Sequence, residues 1–147
     1  MELQVNSLEE TKELGLKLGK LLTPNSCLLL KGDLGAGKTT LTKSIGKALN
    51  IKKTINSPTF TILKSYQGDI QLHHIDAYRL EGLSQDLGFE ELFEDDAVVI
   101  VEWPDYILDS LPREYLEISI KNGVNEERFY TLEAHGEKYE ELLEKLK

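Results

Sequence analysis

The chain has 147 residues, 40% hydrophobic and 29% charged, with a formal net charge of −9 and one cysteine. Length and composition fit one globular domain over residues 1–147, a secretory leader is not expected, and no apolar run comes near the about 20 residues of a membrane span. The lone Cys27 excludes an internal disulfide framework, and a cytoplasmic setting is expected.

Ser7-Leu8-Glu9-Glu10 has the S-x-x-E form of a helix capping box. Leu14, Leu18, Leu21 and Leu22 then recur at helical spacing until Thr23-Pro24-Asn25 stops the run. Cys27-Leu28-Leu29-Leu30 is continuously apolar, as expected of a strand buried on both faces. Residues 32–39 follow it, Gly-Asp-Leu-Gly-Ala-Gly-Lys-Thr, and fit the phosphate-loop pattern G-x-x-x-x-G-K-[ST]. A helix is expected over 38–49, with Leu41, Ile45, Ala48 and Leu49 on one face and Asn50 as its stop.

The octet has a geometric reason. Successive backbone N–H groups of Gly32, Asp33, Leu34, Gly35, Ala36 and Gly37 can turn inward around phosphate oxygens, where side chains at the glycines would obstruct the approach. Lys38 reaches the terminal phosphates, the Thr39 hydroxyl takes a position on Mg²⁺, and Thr40 continues into a helix whose N-terminus favours negative charge. A glycine-rich turn with an incidental lysine would need neither the buried strand before it nor the helix after it.

Asn56-Ser57-Pro58-Thr59 reads as a loop, and residues 60–66 and 70–75 flank a hairpin turn at Gln67-Gly68-Asp69. Residues 88–95 form a short acidic helix facing inward through Phe89, Leu92 and Phe93. Residues 97–101 are a second fully apolar strand, and 115–121 with 128–134 form a hairpin around Asn122-Gly123. An amphipathic helix over 138–147 carries Tyr139, Leu142, Leu143 and Leu146. The expected fold is α/β: a three-layer sandwich like that of phosphate-loop NTPases, with a mixed parallel and antiparallel central sheet.

Charge is divided unevenly, with a net +5 over residues 1–65 and −14 over 66–147. The positive part contains the phosphate loop, whereas the acidic part argues against broad nucleic-acid binding by this chain alone. It suits docking on a basic partner, although a merely solvated acidic face is the commoner explanation.

A phosphate loop needs a carboxylate at the end of a neighbouring strand to organise Mg²⁺. Glu102 ends the apolar run Val98-Val99-Ile100-Val101 and is the preferred metal-side residue; Asp76, ending Ile70–Ile75, shares the metal shell or orients water. For either, a surface carboxylate or structural hydrogen bond is the plain alternative. His73 and His74 adjoin Asp76 but face opposite ways on a strand, so packing or ordinary hydrogen bonding accounts for them better than a shared metal. Trp103 is either a core or rim aromatic or one that senses the nucleotide. Only Arg79, Arg113 and Arg128 are present, without the arginine-rich lid of a small-molecule kinase, and no Asn-Lys-x-Asp element reads guanine, so adenine is favoured.

Gly32–Thr40, Ser-Pro-Thr-Phe at 57–60, His-Ile-Asp-Ala-Tyr-Arg-Leu at 74–80 and Val-Glu-Trp-Pro at 101–104 together resemble, in order and spacing, the bacterial TsaE (YjeE) family. The resemblance spans nearly the whole chain. It implies a small Mg²⁺-dependent ATPase required for N6-threonylcarbamoyladenosine, the modification beside the anticodon in tRNAs reading ANN codons. It further implies that Lys38 and Thr39 serve phosphate and Mg²⁺, that Thr59 is a switch element near the γ-phosphate, and that Asp76 and Glu102 are an acidic pair at the metal and attacking water. Trp103 would lie beside the site, with Thr11 and Arg128 bordering the nucleotide. The implied partners are TsaD, which carries out the transfer, and its paralogue TsaB; tRNA is acted on by their complex. Hydrolysis by the chain alone is expected to be slow, since so few arginines leave the transferring phosphoryl group short of positive charge unless a partner completes the site or orders residues 57–60. The competing readings are a small-molecule kinase and a nucleotide-dependent binding module with incidental hydrolysis.

Overall fold

The computed structural model describes residues 1–32, 37–56, 62–80 (the Arg79 side chain excepted) and 89–147. The strands are β1 (Glu2–Val5), β2 (Ser26–Gly32), β3 (Leu63–Tyr66), β4 (Gln71–Asp76), β5 (Ala97–Glu102), β6 (Tyr115–Asn122) and β7 (Arg128–His135). The helices are α1 (Leu8–Leu21), α2 (Lys38–Ala48), α3 (Phe89–Glu94) and α4 (Glu137–Leu146), with 3-10 segments at Tyr78–Leu80 and Pro104–Ser110.

The strands form one seven-stranded sheet in the order β1-β7-β6-β2-β5-β4-β3. Its centre is parallel: β2 pairs with both β5 and β6, and β4 with β5. Antiparallel strands complete both sides, through β3 on β4, β7 on β6 and β1 on β7. This is the expected mixed α/β sheet. The continuous apolar runs of β2 and β5 suit positions covered on both faces, and each face has its own core. Leu28, Leu30, Val98 and Ile100 pack toward Leu18 of α1, Leu41 and Ile45 of α2, and Leu142 of α4. Cys27, Leu29, Val99 and Val101 pack on the other face with Phe89 of α3 and Ile107.

The parallel register brings the C-terminal ends of β2, β4 and β5 to one edge, with Leu30 opposite Glu102 and Glu102 opposite Asp76. The α1 cap forms much as its sequence predicts: Ser7 Oγ accepts from the Glu10 amide at 3.2 Å, while the Glu10 carboxylate reaches the amide of Asn6, one residue before the cap. Asn50 follows α2 with φ 59°, the left-handed stop expected of an asparagine there.

Two features depart from the sequence reading. The four-residue β1 was not foreseen; too short for a clear alternation, it is held by β7 and by bonds joining Met1 to Leu132. The 3-10 segment after β5 was not foreseen either, because it starts from Trp103 in the left-handed region, at φ 57° and ψ 52°. The strand expected over 60–66 begins at Leu63 in the described part, and residues 57–61 lie outside it.

Candidate functional site

Lys38 is the first residue of α2, and Gly37 before it has φ 97°, a conformation open to glycine and costly for other residues. Among the described residues nothing lies within 4 Å of a Cβ placed at Gly37, and none of their side chains caps α2. The first amides of the helix are donors of the kind an anion requires.

The Lys38 side chain folds back into the protein and is 5% exposed. Its ammonium donates to the Gly32 carbonyl at 2.7 Å, lies 4.0 Å from Glu102 Oε1 and sits 4.2 Å from the centre of the Trp103 ring. The 4.0 Å approach is a contact of charges rather than a hydrogen bond. Glu102 is 4% exposed and its other oxygen, Oε2, is 2.7 Å from His74 Nε2. A carboxylate oxygen only accepts, so this nitrogen carries the proton. His74 is fully buried, and its Nδ1 has no hydrogen-bond partner among the described residues. An orphaned buried polar atom costs about 1–3 kcal/mol, which the fold accepts at this point.

Asp76, in register with Glu102, accepts from the Tyr78 amide at 3.1 Å, and its own amide donates to the Ile62 carbonyl at 2.7 Å. Ile62 has φ 64°, unusual for a β-branched residue, and Trp103 shares that region. Such backbone costs about 1–3 kcal/mol per residue and gathers at functional sites. Trp103 lies 5.0 Å from the ring of Tyr78, itself 49% exposed, and stacks at 6.3 Å on Tyr106.

Lys38, Glu102, Asp76 and Trp103 thus come to one sheet edge from positions up to 65 residues apart (38 to 103). Thr39 and Thr40 follow Lys38 in the first turn of α2, half-buried. Gly32 ends β2 and supplies the carbonyl that Lys38 holds. Asp33, Leu34, Gly35, Ala36 and Thr59 lie outside the described residues. Arg128 begins β7 opposite Asn122 at the end of β6, and its Nη1 donates to the carbonyls of Asn125 and Glu127; Thr11, in α1, donates from Oγ1 to the Ser7 carbonyl. His74 is the functional neighbour that sequence reasoning missed as a partner of Glu102. Its signal was present in strand alternation, which puts His74, Asp76, Ile100 and Glu102 on one face, but the pairing of β4 with β5 was needed to make it specific. His73 instead bonds Ser65 at 2.7 Å and Asp95 at 3.2 Å.

The residues present fit ATP and Mg²⁺: a buried ammonium, a hydroxyl in the first helical turn, an acidic pair and an unobstructed glycine. A family model described as "Threonylcarbamoyl adenosine biosynthesis protein TsaE" matches residues 5–130. The chain belongs to the TsaE family. The tRNA threonylcarbamoyladenosine biosynthesis protein TsaE of Bacillus subtilis (strain 168) is 46% identical over 139 residues, 94% of this chain and 88% of that protein. The protein of the same name from Nostoc sp. (strain PCC 7120) is 40% identical over 121 residues, 78% of this chain and 74% of its own. The crystal structure of Bacillus subtilis YdiB superimposes with a TM-score of 0.87 at 38% identity, covering 99% of this chain and 93% of YdiB.

A second acidic group on this TsaE-family chain has a different character. Glu117, Glu133 and His135 lie close enough together to share an ion. Glu117 already holds the Lys31 ammonium at 2.8 Å, a bond that raises the lysine pKa. Burial pushes the Glu117 carboxyl up, but the Lys31 bond and charge outweigh it and leave it below its ordinary value. Among the described residues no helix is long and apolar enough to cross a membrane.

Proposed function

We propose that the chain is a Mg²⁺-dependent ATPase, an accessory subunit acting with TsaB and TsaD in threonylcarbamoyladenosine modification of tRNA; the relatives' names support the modification, and the family resemblance implies the ATPase and the partners. One observation carries the ATPase part. A buried lysine ammonium stands against a buried carboxylate at the uncapped, glycine-led start of α2.

The Lys38 ammonium, now spent on the Gly32 carbonyl and the Trp103 ring, is the group that would turn to the β- and γ-phosphates. Thr39, with Glu102 and Asp76 directly or through water, would hold the metal, which supplies charge neutralisation on the transferring phosphoryl group. The remaining carboxylate oxygens orient the attacking water. Neither carboxylate is solvated by more than a small exposed fraction, 4% for Glu102 and 9% for Asp76, so their orientation is set by protein contacts. A weak point of the site is the positive charge available to the transition state, and TsaB–TsaD is the proposed source of what is missing.

Calorimetry with MgATP and single-turnover hydrolysis, with and without TsaB–TsaD, test this reading. Lys38→Ala is expected to weaken ATP binding by about tenfold to a hundredfold, the loss of one charge-assisted contact. Glu102→Gln should retain binding while turnover falls by about a hundredfold or more. Unchanged ATP affinity in Lys38→Ala overturns the assignment of the phosphate loop. Equal hydrolysis rates with and without the pair overturn partner activation. ATP consumption that rises with a metabolite rather than with the proteins would favour the kinase.

A further inference from the structure

We propose that His74 is a positioning residue for Glu102, holding the carboxylate away from Lys38 so that one oxygen remains available to the metal or the attacking water. The inference rests on the proposed ATPase function but concerns a residue to which that function assigns no role.

His74 and Glu102 are diagonal neighbours on adjacent parallel strands: His74 is opposite Ile100, and Glu102 is two residues further along the same face. This geometry is within reach of a long side chain. The imidazole is fully buried and spends its Nε2 proton on Glu102 Oε2 at 2.7 Å, while Nδ1 finds no partner among the described residues. A histidine kept for internal hydrogen bonding alone would satisfy both nitrogens, as the buried strand neighbour His73 does through Ser65 and Asp95. At His74 every polar contact is instead directed at a single carboxylate.

The consequence follows from the distances. Glu102 Oε1 stands 4.0 Å from the Lys38 ammonium, a gap that a rotation of a free carboxylate would close into a direct ion pair. Such a pair would tie up the loop lysine and the metal-side acid together. With Oε2 fixed to His74, the carboxylate keeps its place at the end of β5, and Lys38 remains on the Gly32 carbonyl, ready to exchange it for phosphate. Partners of this kind, lying behind a metal-side group, characteristically change affinity or activity by about tenfold to a hundredfold when removed.

The test compares His74→Leu, which removes the donor, with His74→Gln, whose side-chain amide can donate from a similar place, each alone and combined with Glu102→Gln. Single-turnover hydrolysis, the Mg²⁺ concentration giving half-maximal rate, and ATP affinity by calorimetry are measured with the TsaB–TsaD pair present. His74→Leu is expected to lose about tenfold or more in rate and to require more Mg²⁺, with ATP affinity within about threefold of the unmodified chain. His74→Gln should recover most of the rate. In the Glu102→Gln background His74→Leu should have no further effect. Long-range proton–nitrogen spectra of the nucleotide-free chain supply a readout independent of turnover: the His74 ring should carry its proton on Nε2 and respond to Glu102→Gln. Full rate in His74→Leu, an equal loss in His74→Gln, an undiminished loss in the Glu102→Gln background, or a proton on Nδ1 each overturn the positioning role while leaving the ATPase reading intact. Failure of the unmodified chain to bind MgATP overturns the ATPase reading, and the positioning role with it.

Discussion

Glu102 stands between two groups, bonded to the His74 imidazole at 2.7 Å and 4.0 Å from the Lys38 ammonium. Trp103 adds a ring face to the lysine and a left-handed backbone that starts the following 3-10 segment. Cys27 shows the opposite case, a polarizable group with no chemistry to do. It lies in β2 with its side chain in the core, its amide donates to the Tyr139 hydroxyl, and burial pushes its thiol pKa up to about 12. At pH 8 it should hold roughly a thousandfold less thiolate than an exposed cysteine. An aromatic disulfide reagent should therefore leave the native chain unmodified at pH 8 and titrate one thiol after unfolding in urea; rapid reaction of the native chain would refute the buried placement.

The close approach of α1 and α2 is a property of elements. The two helices run side by side in the same direction, Gly15 of α1 against residues 41–45 of α2 and Gly19 against 45–48. A Cβ at Gly19 would stand 2.5 Å from the Ala48 Cβ and 2.9 Å from the Ile45 carbonyl. Alanine would gain about 1 kcal/mol in helix propensity, but overpacking costs about 1–3 kcal/mol, and rigid neighbours leave little room to yield. Gly19→Ala is thus expected to lower stability by about 1–2 kcal/mol, read as a lower urea midpoint at unchanged slope. A midpoint that rises would mean the helices separate without cost. The sequence showed α1 and α2 as amphipathic runs and the glycines as helix-weakening residues, yet gave no sign that the glycines were spacers.

At the scale of the whole molecule, the sheet edge collects what the chain disperses. The net +5 of residues 1–65 and the net −14 of residues 66–147 meet there, with Lys38 from the first and Asp76, Glu102 and Trp103 from the second. A ligand bound at this junction adds a further link between the two parts. MgATP at a hundredfold its dissociation constant should stabilise the chain by about 2.7 kcal/mol. For a chain of this size that corresponds to a rise of about 5–10 °C in melting temperature. At the same nucleotide concentration Lys38→Ala, binding tenfold to a hundredfold more weakly, should keep only about 0.4–1.4 kcal/mol of that gain. A shift of undiminished size in that variant would locate nucleotide binding elsewhere.

The amino-acid sequence by itself determined the strand and helix flanking the glycine-rich octet 32–39, the two strand-end carboxylates and the mixed α/β class, because local period, turn chemistry and fixed spacing carry these. Even the opposite facing of His73 and His74 followed from the strand repeat alone. Which carboxylate each histidine met was decided only by tertiary structure. Parallel pairing of β4 with β5 brings together residues 28 apart, and the register between those strands has no signature within either segment. The same holds for β1, whose four residues become a strand only because β7 offers its edge, and for Lys38 resting on Trp103. Local sequence fixes what a segment can be; partners distant along the chain select its contacts, since packing and hydrogen bonding depend on separation in space.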